Sequence, residues 1–177
     1  GGFMLNLNQQ CSKHFIFRDL IECGETWKKN SNSIDNFPKE QNTFTSIQLL
    51  CEQILDPVTD HFETITLTYG FASSNLTQLI KGRIYPKKDQ HAGHEKDENN
   101  NYICSRLGQA ADFYISNVNS KEVARWIAAH TPFDRLYFYE DIKSLHVSIG
   151  PENKKQIIKM TQSTNTNHLM PKIVSNI

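Results

Sequence analysis

Several features that mark common classes of protein are missing from this sequence of 177 residues. No apolar run approaches the roughly 20 residues of a membrane-spanning helix, so we expect no membrane span. Lysine and arginine together number 19, as do aspartate and glutamate, so the formal net charge is zero. No overall field therefore attracts nucleic acid or an anionic membrane, and a basic partner is equally unsupported.

Motifs of several well-known chemistries are also absent. The sequence has no glycine-rich phosphate loop, no G-x-S-x-G elbow and no H-E-x-x-H helix. Residues 1–4 carry no charged segment followed by an apolar run, so we expect no signal peptide. The cysteines are scattered without a C-x-x-C pair, which favours reduced, mostly buried thiols and a cytoplasmic location over a disulfide framework. These cysteines are Cys11, Cys23, Cys51 and Cys104.

The sequence predicts a single domain of the α+β class, with a small antiparallel sheet flanked by helices. Alternating β-favouring residues predict strands at 64–69, 110–115, 136–139 and 145–149, of which the last two form a hairpin. Capping residues and apolar stripes predict helices over 47–55, which ends near Pro57, and over 75–81 and 121–129. The domain extends over residues 1–150, and residues 151–177 are expected to form a peripheral segment, a helix followed by a mobile end.

Two short stretches carry the residues with the clearest chemical potential. In residues 105–115, a glycine and small residues precede Asp112, and small residues let another backbone approach closely. In residues 145–148, His146 lies at the centre of an alternating strand. An acid and a histidine on neighbouring strands can hold one metal ion, although each could instead serve the fold, as a capping acid and a hydrogen-bonded core histidine.

An irregular stretch, residues 82–104, precedes the first of these strands, and a loop of this length is usually functional or disordered. His91 and His94 are three positions apart, so both could reach one metal from a single turn. The candidate ligands for such a metal are His91, His94, Glu95, Cys104, Asp112 and His146. A solvated polar loop is the alternative interpretation of the stretch.

The chain resembles the zinc peptidases of the D-alanyl-D-alanine carboxypeptidase type, whose fold is shared by Hedgehog signalling domains. Residues 12–20 (SKHFIFRDL) are similar to that family's "S-x-H-F-x-x-x-E-F" segment, and residues 70–76 (GFASSNL) to its "G-Y-R-S-P-x-L-N" turn. Residues 108–112 (GQAAD) match its "S-x-H-x-x-G-x-A-x-D" motif from the glycine onward. Residues 133–136 (FDRL) and 146–148 (HVS) resemble its closing motifs. The resemblance covers roughly residues 12–150.

The resemblance implies that Asp112 and His146 are two of three zinc ligands. Three positions of this sequence depart from the family pattern. The first ligand of the family, a histidine, falls on Ser105, and the arginine that holds a substrate carboxylate falls on Ala72. The carboxylate three residues before the last ligand falls on Lys143. These losses argue against ordinary cleavage of cell-wall dipeptides.

In the first of two interpretations of these departures, the zinc site is rewired and the chain is a divergent hydrolase of a peptide or other amide-type bond. Zinc would lower the pKa of a bound water to near 7, with Glu140 or Asp141 as general base in place of the missing carboxylate. Asp112 and His146 would share the metal with a ligand from the preceding loop. The candidates for this third ligand are His91, which is favoured, His94 and Cys104.

In the second interpretation the fold persists without metal, as a module whose groove binds a peptide or protein partner, because a fold does not carry its chemistry with it. A third hypothesis, nucleic-acid binding, rests on a short basic stretch around one aromatic residue, Tyr85. The basic residues are Lys81, Arg83, Lys87 and Lys88. The zero net charge of the chain counts against nucleic-acid binding.

Overall fold

The computed structural model describes residues 5–82, 85–139, 144–162 and 169–177. Within these ranges the chain forms six β-strands and six α-helices. The strands are β1 (Thr66–Tyr69), β2 (Gln109–Tyr114), β3 (Arg135–Phe138), β4 (Leu145–Ile149), β5 (Gln156–Gln162) and β6 (Leu169–Val174). The helices are α1 (Phe17–Ile21), α2 (Glu25–Asn30), α3 (Gln41–Leu50), α4 (Asp56–Phe62), α5 (Ser74–Thr77) and α6 (Ser120–His130).

The strands form one mixed sheet in the order β1-β2-β4-β3-β5-β6. Four of the five neighbouring pairs are antiparallel, and β3 and β5 are parallel. The α+β class is therefore confirmed, while the prediction of a purely antiparallel sheet is wrong. The physical reason is that β4 runs opposite to β3 and the chain reverses again before β5, so β5 lies beside β3 in the same direction.

The C-terminal part of the chain forms strands, so the prediction of a helix there is wrong. Strand β5 pairs with β3, and β6 pairs with β5 at the edge of the sheet. Ile157 points into the hydrophobic core, whereas its neighbour Ile158 is buried outside that cluster. Isoleucine is β-branched and therefore favours strands. Successive residues of a strand point to opposite faces, so two adjacent isoleucines that are buried on different sides suit a strand better than a helix.

The helical run on one side of the sheet is longer than predicted. A π-helical turn, Cys51–Leu55, joins α3 to α4, so the helical run continues past Pro57 instead of ending near it. Pro57 is tolerated because it closely follows this π-helical turn, where the regular hydrogen bonding to the fourth preceding carbonyl is already interrupted. Among the described residues, none of the helices could span a membrane.

Side-chain alternation divides the central strands into two faces of different chemistry. One, which we call the core face, carries Ala111, Phe113 and Val147, all completely buried in the main hydrophobic cluster together with helix α3 residues such as Ile47. The other, which we call the site face, carries Asp112 and His146. Burial of the core face drives this part of the fold, at about 25 cal/mol for each Å² of apolar surface removed from water.

Candidate metal centre

Asp112 and His146 meet because of the register of two neighbouring strands. Asp112 on β2 lies directly opposite His146 on β4. Residues paired in this way share a face of the sheet, with Cβ atoms about 4.5–5.5 Å apart. Asp112 Oδ1 and His146 Nδ1 are 2.8 Å apart. Strand pairing alone therefore brings two potential metal ligands into contact.

His91 joins this pair from the 3₁₀ turn Gln90–Ala92, whose backbone is held on both sides. The Asp89 carboxylate accepts the backbone N–H of His91 at 3.0 Å, and the His91 carbonyl accepts the N–H of Ala72 at 3.0 Å. The imidazole is only 4% exposed. Its Nε2 atom lies 3.0 Å from Asp112 Oδ1, the same oxygen that faces His146.

The other ring nitrogen of His91 determines its tautomer. His91 Nδ1 lies 2.7 Å from the carbonyl oxygen of Gly70, which can only accept a hydrogen bond, so Nδ1 carries the proton. In the neutral ring Nε2 then has a lone pair, and this lone pair faces a carboxylate oxygen. A backbone carbonyl that fixes a histidine in this manner is the usual support of a metal-ligating imidazole. The ring of Tyr69 stacks on the same imidazole with centroids 3.7 Å apart.

Gly70 supplies this carbonyl at a point where no side chain fits. A Cβ on residue 70 would lie 2.1 Å from the carbonyl oxygen of Leu20. That same oxygen accepts the N–H of Phe71 at 2.7 Å, which ties the end of β1 to α1. The close approach of two backbones therefore requires glycine here, and it fixes the position of the carbonyl that orients His91.

The charges of these three groups depend on one another. Burial favours the neutral carboxyl of Asp112, but the two histidines and their hydrogen bonds outweigh it and lower its pKa below the ordinary value. Burial likewise acts to lower the pKa of His91, yet the Asp112 carboxylate, its hydrogen bond and Asp89 raise it above the ordinary value. Without a metal, the geometry thus favours a proton on the buried imidazole beside an ionised carboxylate.

The three ligand atoms lie within 4.8 Å of one another, so His91, Asp112 and His146 could hold a metal ion. Two ligands bound about 2.1 Å from a tetrahedral ion are about 3.4 Å apart, close to the separations of 2.8 and 3.0 Å observed around Asp112. A cation placed among the three groups would satisfy the lone pair of His91 and the charge of Asp112 together. Two imidazoles and a carboxylate are donors that suit zinc and other divalent transition metals.

His94, the second histidine of the loop, does not join this group. Gly93, with a φ of +60°, turns the chain between the two histidines. His94 Nε2 accepts the backbone N–H of Gly108 at 3.2 Å, and the backbone N–H of His94 binds Thr43 on helix α3. Burial lowers the pKa of His94 and keeps its ring neutral.

The other predicted ligands in the loop serve the fold. Cys104 is fully buried, and burial raises the pKa of its thiol, which disfavours the thiolate that binds metals. Glu95 accepts the backbone N–H groups of Lys39 and Glu40 and the hydroxyl of Thr43, and so closes the start of helix α3. The structure thus brings neither residue to the metal group.

The predicted general bases, Glu140 and Asp141, lie outside the described residues, as does Lys143. Ser105 is exposed and donates its hydroxyl to the carbonyl of Lys87, away from the metal group. The basic stretch proposed for nucleic acid is described only in part, because Arg83 also lies outside the described residues.

The sequence did not predict two aromatic neighbours of the three candidate ligands. Tyr69 covers the ring of His91, and Tyr137 on β3 meets the ring of His146 edge-on, with centroids 5.2 Å apart. Tyr137 is paired with His146 in the sheet, so knowledge of the strand register would have identified it. Tyr69 lies at a register irregularity opposite Asp112, which local alternation does not reveal.

Comparisons with known proteins return no match for this chain among family models, curated proteins or solved structures.

Proposed function

We propose that this protein is a zinc-dependent hydrolase of peptide or other amide-type bonds, with His91, Asp112 and His146 as the zinc ligands. The observation that carries the proposal is the contact between His91 and Asp112. An imidazole whose Nδ1 proton is donated to Gly70 turns its other nitrogen toward a carboxylate oxygen that already faces His146. A buried arrangement of this kind is typical of histidines that bind a cation.

The ligand set also supports the resemblance to zinc peptidases. Asp112 and His146 are the two residues that the resemblance implies as ligands, and they face each other on neighbouring strands. His91 takes the role of the missing first histidine from a position 21 residues before Asp112 in the sequence. The long loop before β2 thus accounts for the serine at position 105, and a rewired site is favoured over a metal-free binding module.

Zinc held by three protein ligands retains an open position, where it can polarise an amide carbonyl and activate water. The residues of this chain do the rest. Asp112 stays ionised and balances the charge of the cation, Gly70 and Tyr69 fix the ring of His91, and Tyr137 borders the ring of His146. The prediction that Glu140 or Asp141 is the general base remains a prediction.

Zinc content of the purified full chain, measured by elemental analysis after dialysis without chelator, tests this proposal. We expect about one zinc per chain in the parent, because two histidines and a carboxylate complete a three-ligand site. His91→Ala should lose the metal, whereas His94→Ala, a matched control three residues away in the same loop, should keep it. Circular dichroism of both variants checks that the fold is retained.

Absence of zinc from the parent, even after zinc is added, would overturn the proposal and favour a metal-free module. Retention of zinc by His91→Ala would also contradict the ligand assignment. With zinc bound, a mixed peptide pool incubated with the parent should yield cleavage products by mass spectrometry that Asp112→Ala does not produce.

A further inference from the structure

A cavity of about 120 Å³ lies beside the turn that carries His91. One water molecule occupies about 30 Å³, so this volume has room for several waters or for one small organic group. The described lining comes from two segments, residues 72–78 around helix α5 and residues 86–103 of the long loop before β2. None of the three candidate zinc ligands is part of this lining, so the cavity is separate from the metal group. We call it the Asp89 cavity.

The Asp89 cavity has a buried interior and a rim that is open to solvent. Ala72, Asp89 and Ala92 line it and are almost completely buried, at 1%, 4% and 7% exposure. Ser74 and Gln78 also line it, and both are exposed. Because buried and exposed residues share one cavity, a ligand can enter from solvent and reach the buried groups.

Asp89 brings a buried negative charge into this cavity. Its Oδ1 atom accepts the backbone N–H of His91 at 3.0 Å. Within the described part of the chain, Oδ2 has no hydrogen-bond donor and no salt-bridge partner. Of the described residues that line the cavity, only Asp89 is charged. A buried carboxylate is costly unless a cation or hydrogen-bond donors compensate it, so the cavity favours a cationic ligand.

The kind of cation follows from the groups that line the cavity. Calcium and magnesium ions take about six or more oxygen ligands, whereas Asp89 offers a single remaining carboxylate oxygen. A guanidinium group prefers both oxygens of a carboxylate, but Oδ1 already binds the N–H of His91. A primary ammonium group is a compact charge that one carboxylate oxygen can balance. Thr77, a second lining residue, offers a hydroxyl that can accept another of its hydrogen bonds.

We propose that the Asp89 cavity binds a primary alkylammonium group, with Asp89 Oδ2 as the anionic partner of the ammonium. The apolar side chains of Ala72, Pro86, Ala92 and Ile103 line the same cavity and pack against the methylene groups of the ligand. Such a group is carried by free small amines and by the lysine side chain of a peptide. The inference goes beyond the proposed function, because the site requires no zinc.

Nuclear magnetic resonance titration of the full chain with n-butylammonium tests this inference. The protein is first dialysed against chelator, so that the amine cannot coordinate zinc. The backbone amide signals of Ala72 and Ala92 report binding in the cavity, and n-butanol and butyrate are probes of similar shape without the positive charge. We expect n-butylammonium to bind at least about tenfold more tightly than n-butanol, the ratio expected for a hydrogen bond to a charged group. Butyrate should not bind.

Two variants separate the charge of Asp89 from a general effect on the loop. Asp89→Asn should lower the affinity for n-butylammonium about tenfold, because the amide is neutral, while its oxygen can still accept the N–H of His91. Asp97→Asn is the matched control and should leave the affinity unchanged. Asp97 also accepts backbone N–H groups of its own turn, from Asn99 and Asn101, but it is exposed and does not line the cavity.

A blocked lysine, Nα-acetyl-lysine methylamide, identifies the source of the ammonium group. Tighter binding than that of n-butylammonium assigns the site to the lysine side chain of a peptide, and weaker binding assigns it to a free small amine. Equal affinities for n-butylammonium and n-butanol, or an unchanged affinity in Asp89→Asn, would overturn the inference. The comparison of probes needs no variant, so it decides the inference even if Asp89→Asn does not fold. Zinc takes part in none of these measurements, so their failure leaves the proposed function in place.

Discussion

The two faces of the β2–β4 pair have opposite chemistry only one residue apart. On β2, Phe113 is completely buried among apolar side chains, while its neighbour Asp112 lies against two imidazoles on the other face. On β4, Val147 and His146 differ in the same way. A single backbone ladder thus supports both the packing of the core and the metal group. The comparison leads us to expect that stability and the proposed metal binding can be altered separately by substitutions one position apart.

The largest expected effect is on the core face. Phe113→Ala should lower the free energy of unfolding by about 3–5 kcal/mol, because it leaves a cavity where the ring was packed. Urea denaturation in the presence of chelator measures this loss. Tyr114→Ala on the site face is the control and should cost far less, since Tyr114 is partly exposed. Folded Phe113→Ala should still bind one zinc. If this variant folds but no longer binds zinc, the two faces are not independent.

A smaller effect, on zinc affinity, is expected at Gly70, whose backbone carbonyl orients His91. Gly70→Ala should weaken zinc binding about 10–100-fold, the usual cost of disturbing a partner that orients a ligand, because the added Cβ would displace the carbonyl that holds His91. Competition with a zinc-binding dye measures the affinity.

Gly82→Ala is the matched control for Gly70→Ala. Gly82, unlike Gly70, has a positive φ, of +71°, but an added Cβ would meet no atom of the described residues within 4 Å. It should cost some stability through backbone strain and leave zinc affinity unchanged. An equal loss of affinity in both variants would show that general destabilisation, and not the carbonyl of Gly70, controls the site.

The smallest expected effect is a dependence of zinc affinity on pH. Zinc must displace the proton of His91, whose pKa is raised above the ordinary value of about 6.5. Affinity should therefore be independent of this group above the raised pKa and fall by about tenfold per pH unit below it, for each proton displaced. The pKa of Asp112 is lowered, so its carboxylate stays ionised and adds nothing in this range.

Zinc titrations between pH 5.5 and 8.5 would reveal this dependence. His94→Ala should keep the same profile, because the pKa of His94 is lowered and its ring lies outside the metal group. An affinity that does not change with pH would show that no buried imidazole competes with zinc for a proton.

Several elements could be predicted because their signals are local. The alternation of residues 64–69 and 145–149 predicted β1 and β4. A serine cap at position 73 or 74 predicted the start of α5, and the Ser73 hydroxyl accepts the N–H of Leu76, although α5 ends at Thr77 and not at residue 81. The C-terminal strands were missed since polar composition there masked the pair Ile157 and Ile158. The parallel neighbour of β3 could not be predicted, because strand order depends on contacts between distant parts of the chain.

By itself the sequence determined which residues could act as ligands and on which strands two of them lie. Asp112 and His146 occupy alternating positions of short strands, and that alternation is a property of the local backbone. Only the tertiary structure decided that His91, and not His94 or Cys104, completes the group. The physical reason is that the orientation of a loop side chain depends on partners far away in sequence, here the carbonyl of Gly70 and the carboxylate of Asp112, each 21 residues from His91.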